Sequence, residues 1–115
     1  MQGRLSPIMG GKIQAFPWLH WQKEIIEAGR LGFKRMEWTL DQEKLHSNPL
    51  MTSAGRSEIR QLLSSSDIAI PSLTGDCFMQ APYWKCTGET RRELQSDFLQ
   101  IVNACGMVGI KQIVV

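Results

Sequence analysis

The sequence predicts an α/β fold built on a parallel sheet. Strand-like and helix-like segments alternate along the 115 residues, a pattern typical of βαβ units. Apolar residues make up 43% of the chain and charged residues 21%, which excludes a disordered chain and supplies material for one hydrophobic core. The expected order is strand, helix, strand, helix, strand, helix, strand.

The N-terminal part of the chain predicts two strands around one helix. A short strand is predicted over residues 1–5, followed by a loop rich in proline and glycine over residues 6–11. Apolar residues at helical spacing predict an amphipathic helix over residues 18–31, with Gly32 as its stop signal. The stripe of this helix consists of Trp21, Ile25, Ala28 and Leu31. Residues 33–40 then alternate apolar and polar positions, which predicts a strand.

The middle of the chain predicts a loop, a helix and a strand that contains a proline. Residues 41–52 are polar and form a predicted loop of about a dozen residues, a length that suggests a functional role. Residues 53–65 predict a helix. Its apolar face carries Ile59, Leu62 and Leu63. Residues 68–73 are rich in β-branched and apolar residues and predict a strand, although Pro71 would normally put it at an edge or end it.

The last third of the chain predicts a loop, a long helix and a final strand. Residues 75–88 have no period and predict a second loop. Thr90 and Glu93 have the spacing of a capping box, and Gly106 is the expected stop of the helix that follows. Its apolar stripe consists of Leu94, Phe98, Ile101, Val102 and Cys105. The apolar run of residues 110–115 predicts the last strand.

Two architectures share this order of elements. A small doubly wound sheet fits 115 residues, whereas a (β/α)8 TIM barrel normally takes about 250 residues. The length of the chain therefore favours the doubly wound sheet, while its sequence motifs favour part of a barrel.

Three short motifs follow one another along the chain. They are Met1-Gln2-Gly3-Arg4-Leu5-Ser6-Pro7, Gly32-Phe33-Lys34-Arg35-Met36-Glu37-Trp38 and Pro71-Ser72-Leu73-Thr74-Gly75-Asp76-Cys77-Phe78-Met79. In this order and spacing, the motifs resemble the N-terminal part of the sugar phosphate isomerase/epimerase family. Residues 13–18 and 48–52 also resemble family sequences, so the likeness covers most of the chain.

The resemblance implies a fold, a chemistry and a cofactor. It implies that residues 1–115 are the incomplete N-terminal half of a xylose isomerase-like (β/α)8 TIM barrel, cut within or beside its first strand and ending on its fourth. Family members isomerise or epimerise sugars with a divalent metal (Mn, Mg, Co or Zn), which polarises a carbonyl and a hydroxyl while carboxylates move a proton. The metal ligands of the family lie on later strands, so the resemblance assigns neither a metal ligand nor a catalytic residue to this chain.

Five residues are expected to bind substrate, because the active site of such a barrel forms at the carboxyl ends of its strands. They are Gln2, Arg4, Glu37, Trp38 and Asp76. Structural alternatives remain open: Arg4 and Glu37 could form a buried ion pair, and Asp76 could serve only turn geometry. In a regular strand Glu37 and Trp38 point to opposite faces, so we expect only one of them to face the barrel interior.

The cysteines and the aromatic residues of the second loop give weaker signals. The chain has three cysteines, Cys77, Cys86 and Cys105. Their spacing fits neither a disulfide framework nor a metal knuckle, so reduced thiols are expected. Cys105 belongs to a helical stripe and is expected in the core, whereas Cys77 follows a strand and is the candidate for reactivity. Tyr83 and Trp84 are candidate lid residues.

Three functions remain open from the sequence. The first is a metal-dependent sugar isomerase or epimerase as the parent protein, with this fragment inactive alone. The second is a non-catalytic half-barrel that needs a partner chain or associates with itself through exposed barrel edges. The third is an apurinic-site endonuclease-like barrel, which is disfavoured because the resemblance would place histidines where this chain has Asp76-Cys77-Phe78.

The net charge and the hydropathy of the sequence indicate which classes of partner to expect. Thirteen Lys and Arg against eleven Asp and Glu give a net charge of +2, and the basic residues are scattered, so nucleic acid is not an expected partner. No run approaches the ~20 apolar residues of a membrane span, and the N-terminus has no secretory apolar core. We therefore expect a cytoplasmic protein, and the partner that the resemblance implies is a small-molecule sugar.

Overall fold

The strands of the described chain form one parallel sheet. The structure is a computed structural model that describes residues 5–7, 11 and 15–115. The sheet consists of β1 (Arg35–Leu40), β2 (Ala69–Gly75) and β3 (Gln112–Val114). β2 is central and pairs in parallel with both neighbours, in the order β1-β2-β3. The predicted α/β class and the parallel direction of these strands are confirmed.

Helices connect and cover these strands. They are α1 (Trp21–Arg30), α2 (Ser53–Ser66), α3 (Asp76–Gln80) and α4 (Gly88–Val108). Single turns of 3-10 helix occupy Leu45–Ser47, Pro49–Met51 and Tyr83–Lys85. The two segments predicted as loops therefore contain short helical structure, including all of α3, which is too short to show a sequence period.

The first predicted strand is the one element that cannot be compared with the structure. Residues 1–4 lie outside the described residues, and Leu5 lies in a turn. The predicted substrate-binding residues Gln2 and Arg4 fall in this part of the chain.

The three helices that precede strands all end in the same way. A residue with a left-handed backbone follows within two residues of each helix: Gly32 (φ 90°), Asp67 (φ 53°) and Gly109 (φ 88°). After α1, for example, Phe33 N donates to Ala28 O at 3.0 Å and Gly32 N donates to Gly29 O at 3.1 Å, which is a Schellman motif. The stop predicted at Gly32 is thus correct, and each strand begins a few residues after such an ending.

The predicted ends of the last helix are wrong. Gly106 remains inside α4, because Gly109 is the residue that adopts the left-handed backbone. At the other end α4 begins at Gly88, and Thr87 makes no side-chain cap. Thr90 and Glu93 therefore lie within the helix and form no capping box.

Pro71 lies in the central strand rather than at an edge. The pairing of β1 with β2 contains an irregularity, because Arg35 pairs with Ala69 while Glu37 pairs with Ser72. β2 therefore has one extra residue at this point, and a bulge is a position where a strand tolerates proline. The Pro71 carbonyl still accepts a hydrogen bond from Lys111 N at 2.9 Å.

One face of the sheet packs against the helices. The buried core joins strand residues to residues of α1, α2 and α4. The strand residues include Trp38, Leu40 and Leu73, each fully buried. Two residues of the predicted helix stripes are exposed instead of buried: Leu31 follows α1 and is 51% exposed, and Val102 is 41% exposed. The buried positions of α4 are Ile101, Ala104 and Cys105.

Candidate functional site

Glu37 lies at the centre of a polar group on the other face of the sheet. The period of two along β1 puts its side chain opposite Trp38 and Leu40. Glu37 pairs with Ser72 of β2, and Thr74 is two residues further along β2. Ser72 Oγ donates to Glu37 Oε2 at 2.7 Å, and Thr74 Oγ1 donates to Glu37 Oε1. Two hydroxyls from the neighbouring strand thus hold the carboxylate in place.

The hydroxyl groups also affect the charge of Glu37. Partial burial acts to raise the pKa of its carboxyl group, since it penalises the charged form. The hydrogen bonds from Thr74 and Ser72 are the largest opposing effects, and the resulting pKa lies below its usual value. Glu37 is therefore a carboxylate at neutral pH.

Asp76 and Asp41 bring two more carboxyl groups to the carboxyl ends of the strands. Asp76 is the first residue of α3, directly after β2, and Asp41 directly follows β1. The pKa of Asp76 is raised, first by partial burial and then by the negative charges of Asp41 and Glu37. The predicted site residues Glu37 and Asp76 therefore lie near enough for the charge of Glu37 to raise the pKa of Asp76.

Asp41 also fixes the position of α3. Asp41 Oδ1 accepts a hydrogen bond from Gln80 Nε2 at 3.1 Å, and its Oδ2 accepts one from Phe16 N at 3.2 Å. Gln80 Oε1 in turn accepts a hydrogen bond from Gln42 N at 2.7 Å. Gln80, at the end of α3, is thereby tied to the segment that follows β1. This contact holds Asp76 at the edge of the sheet.

Gly75 allows α3 to turn sharply back over the end of β2. A Cβ atom at Gly75 would lie 2.2 Å from a ring carbon of Phe78 and 3.1 Å from Val114 O. Only glycine leaves room for this close approach. The ring of Phe78 packs in turn against Phe98 of α4, with centroids 5.4 Å apart.

Thr39 adds a buried hydroxyl on the same side of β1 as Glu37 and Asp41. Thr39 is fully buried. Its Oγ1 has no hydrogen-bond partner in the described part of the chain. A buried hydroxyl without a partner is uncommon and costs about 1–3 kcal/mol.

Trp38 lies on the opposite face from Glu37, as a regular strand requires. Its ring is fully buried against Phe16 and Trp21, with centroids 5.2 and 5.7 Å away. Its Nε1 donates to Asn48 Oδ1 at 3.0 Å. The structure therefore places Trp38 in the core, where it anchors the loop after β1 to the strand.

Several residues of this site were not identified from the sequence. Ser72 and Thr74 lie two residues apart on β2, a spacing that puts both on one strand face, but the bulge at Pro71 decides which face that is. Asp41 and Gln80 are joined across distant parts of the sequence. The alternation of side chains along a strand is a sequence signal for Ser72 and Thr74. It gives no signal for the contact between Asp41 and Gln80.

The cysteines do not contribute a reactive group to the site. Cys77, the candidate for reactivity, is 2% exposed, and burial raises the pKa of its thiol to about 12. Cys105 is buried in the core as predicted, with a thiol pKa raised by burial to about 11. Cys86 is the half-exposed thiol of the three.

A fit to a divalent metal can be tested on the described residues. Within residues 5–7, 11 and 15–115, no three His, Cys, Asp or Glu side chains come together in a way that could hold a metal ion. Glu37, Asp41 and Asp76 therefore do not form a metal site by themselves, and we assign no metal ligand to them.

Sequence comparison does not place the chain in a family. No protein-family model matches the sequence, and no curated protein matches it closely. Among the helices that the structure describes, none is long and apolar enough to cross a membrane. The geometry of the site and the three sequence motifs are the observations that bear on function.

Proposed function

We propose that the chain forms the N-terminal half of a xylose isomerase-like barrel whose parent protein isomerises or epimerises a small sugar or sugar phosphate. The observation that carries the proposal is the Glu37 carboxylate, held by Ser72 and Thr74 on the sheet face opposite the helices. In a (β/α)8 barrel this face lines the interior, and the substrate site lies at the carboxyl ends of the strands.

The order of the described strands is compatible with part of a barrel. Successive strands β1, β2 and β3 are neighbours in that order, with no reversal. A doubly wound sheet reverses its strand order at a switch point, where its ligand binds. A parallel sheet can close into a barrel when each new strand is added on the same side of the preceding one.

Glu37 can recognise a sugar through its hydroxyl groups. The hydroxyls of Ser72 and Thr74 each donate to one oxygen of the Glu37 carboxylate and so fix its orientation. Because a charged acceptor forms stronger hydrogen bonds than a neutral one, we expect a substrate hydroxyl to donate to Glu37. Asp76 is a second carboxyl group at the strand ends, and it can accept a hydrogen bond from another hydroxyl of the same sugar.

The divalent metal that the resemblance implies is not assigned to residues of this chain. The described residues do not combine into a metal site, so we derive no step through a metal from them. What this chain contributes is the binding and orientation of the sugar, and we expect the chain by itself to bind sugar without turning it over.

Sugar binding by the full chain tests the proposal. Saturation-transfer NMR would be recorded against a panel of pentoses, hexoses and their phosphates, with and without Mg²⁺ or Mn²⁺. We expect at least one sugar to give signals with the native chain and to lose them in Glu37→Gln, which removes the charge but keeps the shape. Glu43→Gln, at an exposed position in the loop after β1, is the matched control and should bind as the native chain does. Equal binding by Glu37→Gln, or no binding across the whole panel, would contradict the proposal.

A further inference from the structure

We propose that a groove between α2 and α4 docks an acidic segment of a protein partner. The groove is open, has a volume of about 210 Å³ and is called the α2–α4 groove below. It is lined by Met51, Arg56, Gln100, Asn103, Ala104 and Met107. Because helices form it, the groove lies away from the sheet face that carries Glu37, and this proposal is independent of the sugar site.

Two arginines make the α2–α4 groove positively charged. Arg56 lines the groove, and Arg60 lies one helical turn further along α2. Arg56 Nη1 donates to Leu50 O at 3.1 Å, and Arg60 Nη1 donates to Met107 O at 3.1 Å. Main-chain carbonyls thus fix both guanidinium groups without neutralising them, and each guanidinium has five N–H donors in total.

No lining residue balances that charge. None of the six residues that line the α2–α4 groove is acidic. The acidic residues of α4 lie nearer its N-terminus, and among them Asp97 is engaged by His46 at 3.0 Å. A carboxylate entering the groove would therefore meet positive charge, and that complementarity favours an acidic occupant.

The rest of the lining suits a peptide side chain. Asn103 and Gln100 present exposed carboxamides that can donate to a carboxylate. Met51 and Met107 are flexible apolar side chains of the kind that adapt to different partners. Small-molecule pockets usually hold about 300–1,000 Å³, so a groove of about 210 Å³ fits one or two side chains better than a whole metabolite. The occupant we assign is a peptide segment with a Glu or Asp beside an apolar residue.

The test uses the full chain and a synthetic peptide of glutamate and leucine, with a lysine and leucine peptide as the charge control. NMR would follow the side-chain amides of Gln100 and Asn103 and the Nε–H groups of Arg56 and Arg60. We expect the glutamate peptide to shift these four signals together, with an effect that weakens as salt is added. The lysine peptide should leave them unchanged.

Substitutions at Asn103 and Gln95 separate docking from general charge attraction. Asn103 is exposed on α4, so Asn103→Glu should fold normally while placing a carboxylate in the groove. We expect it to weaken binding of the glutamate peptide roughly fivefold. Gln95→Glu adds the same charge at an exposed position of α4 that does not line the groove, and it should leave binding as it is. Shifts spread over the whole surface, unchanged binding by Asn103→Glu, or equal shifts with inorganic phosphate alone would each overturn the proposal, the last by showing a small-anion site instead.

Discussion

Glu37 and Asp76 show how one edge of a sheet can shift two carboxyl groups in opposite directions. Hydrogen bonds from two hydroxyls favour the charged form of Glu37 and lower its pKa. Asp76 is partly buried beside Asp41 and Glu37, which disfavours its charged form and raises its pKa. The surroundings of these two carboxyl groups thus shift their pKa values in opposite directions.

The opposite shifts predict opposite pH dependence for two substitutions. A lowered pKa means that Glu37 stabilises the fold above its ordinary value of 4.5, and this stabilisation disappears as the pH falls through the lowered value. The raised pKa of Asp76 means the reverse: the folded state loses stability as the pH rises through it. In urea unfolding near pH 7, Glu37→Gln should therefore be less stable than the native chain and Asp76→Asn more stable.

Both differences should shrink between pH 7 and acid pH, as the pH falls through the pKa values of the two native carboxyl groups and protonates them. Glu43→Gln, whose carboxyl group is exposed, should show neither difference. A stability change in Asp76→Asn that is the same at both pH values would contradict the electrostatic explanation.

The three cysteines should differ sharply in reactivity. The thiolate is the reactive form, and burial raises the thiol pKa values of Cys77 and Cys105 to about 12 and about 11. Cys86 is half-exposed and lies in the segment between α3 and α4. Under native conditions a disulfide reagent should label one thiol per chain quickly. Cys86→Ser should abolish that fast phase and Cys77→Ser should preserve it; a fast phase that survives Cys86→Ser would contradict the burial of the other two.

At the scale of the elements, helix positions could be predicted better than helix ends. The apolar stripes identify α1, α2 and α4, because burial repeats with the helical period. Gly106 and Gly109 are both credible stop residues in the sequence, and only the backbone shows that Gly109 is the left-handed one.

The burial of Glu24 could not be predicted from the sequence either. Glu24 is 1% exposed and accepts a hydrogen bond from Ser6 Oγ at 2.6 Å, although its charge would normally predict an exposed position.

Alanine substitutions at Gly75 and Gly106, which have different surroundings, test the position of α3 and the end of α4. Gly75→Ala would place a Cβ atom 2.2 Å from the ring of Phe78, and displacing α3 should cost about 1–3 kcal/mol of stability. Gly106→Ala is the control, because Gly106 lies inside α4 with nothing within 4 Å of its Cβ position. Since alanine favours a helix over glycine, it should stabilise the fold by about 0.5–1 kcal/mol. Denaturant unfolding measures both, and a loss of stability in Gly106→Ala would show that α4 ends before it.

At the scale of the whole molecule, the sequence predicted the sheet but not the group of side chains around Glu37. The alternation of elements was enough for parallel strands, and strand periodicity was enough to separate Glu37 from Trp38. The pairing of Glu37 with Ser72 depends on the extra residue of β2 at Pro71. Such a bulge shifts every later side chain of the strand to the other face, so the composition of the site could be known only from the register.

The sheet also predicts how copies of the chain behave together. Among the described strands β3 pairs only with β2, so its other edge presents backbone N–H and C=O groups. Val114 at the end of β3 is 54% exposed, and Val115, the residue after it, is 69% exposed. An apolar strand edge with open hydrogen-bonding groups is a template for pairing with another chain.

We therefore predict that the chain self-associates through the edge of β3, and that its average mass rises with concentration in analytical ultracentrifugation. Val114→Lys puts a charge on this edge, a change that natural sheets use to prevent pairing, and should shift the chain toward monomer. Leu19→Lys is the matched control, since Leu19 is 73% exposed and lies outside the sheet; it should associate as the native chain does. A native chain that stays monomeric at all concentrations, or a Val114→Lys variant with unchanged mass, would show that the β3 edge is protected in another way.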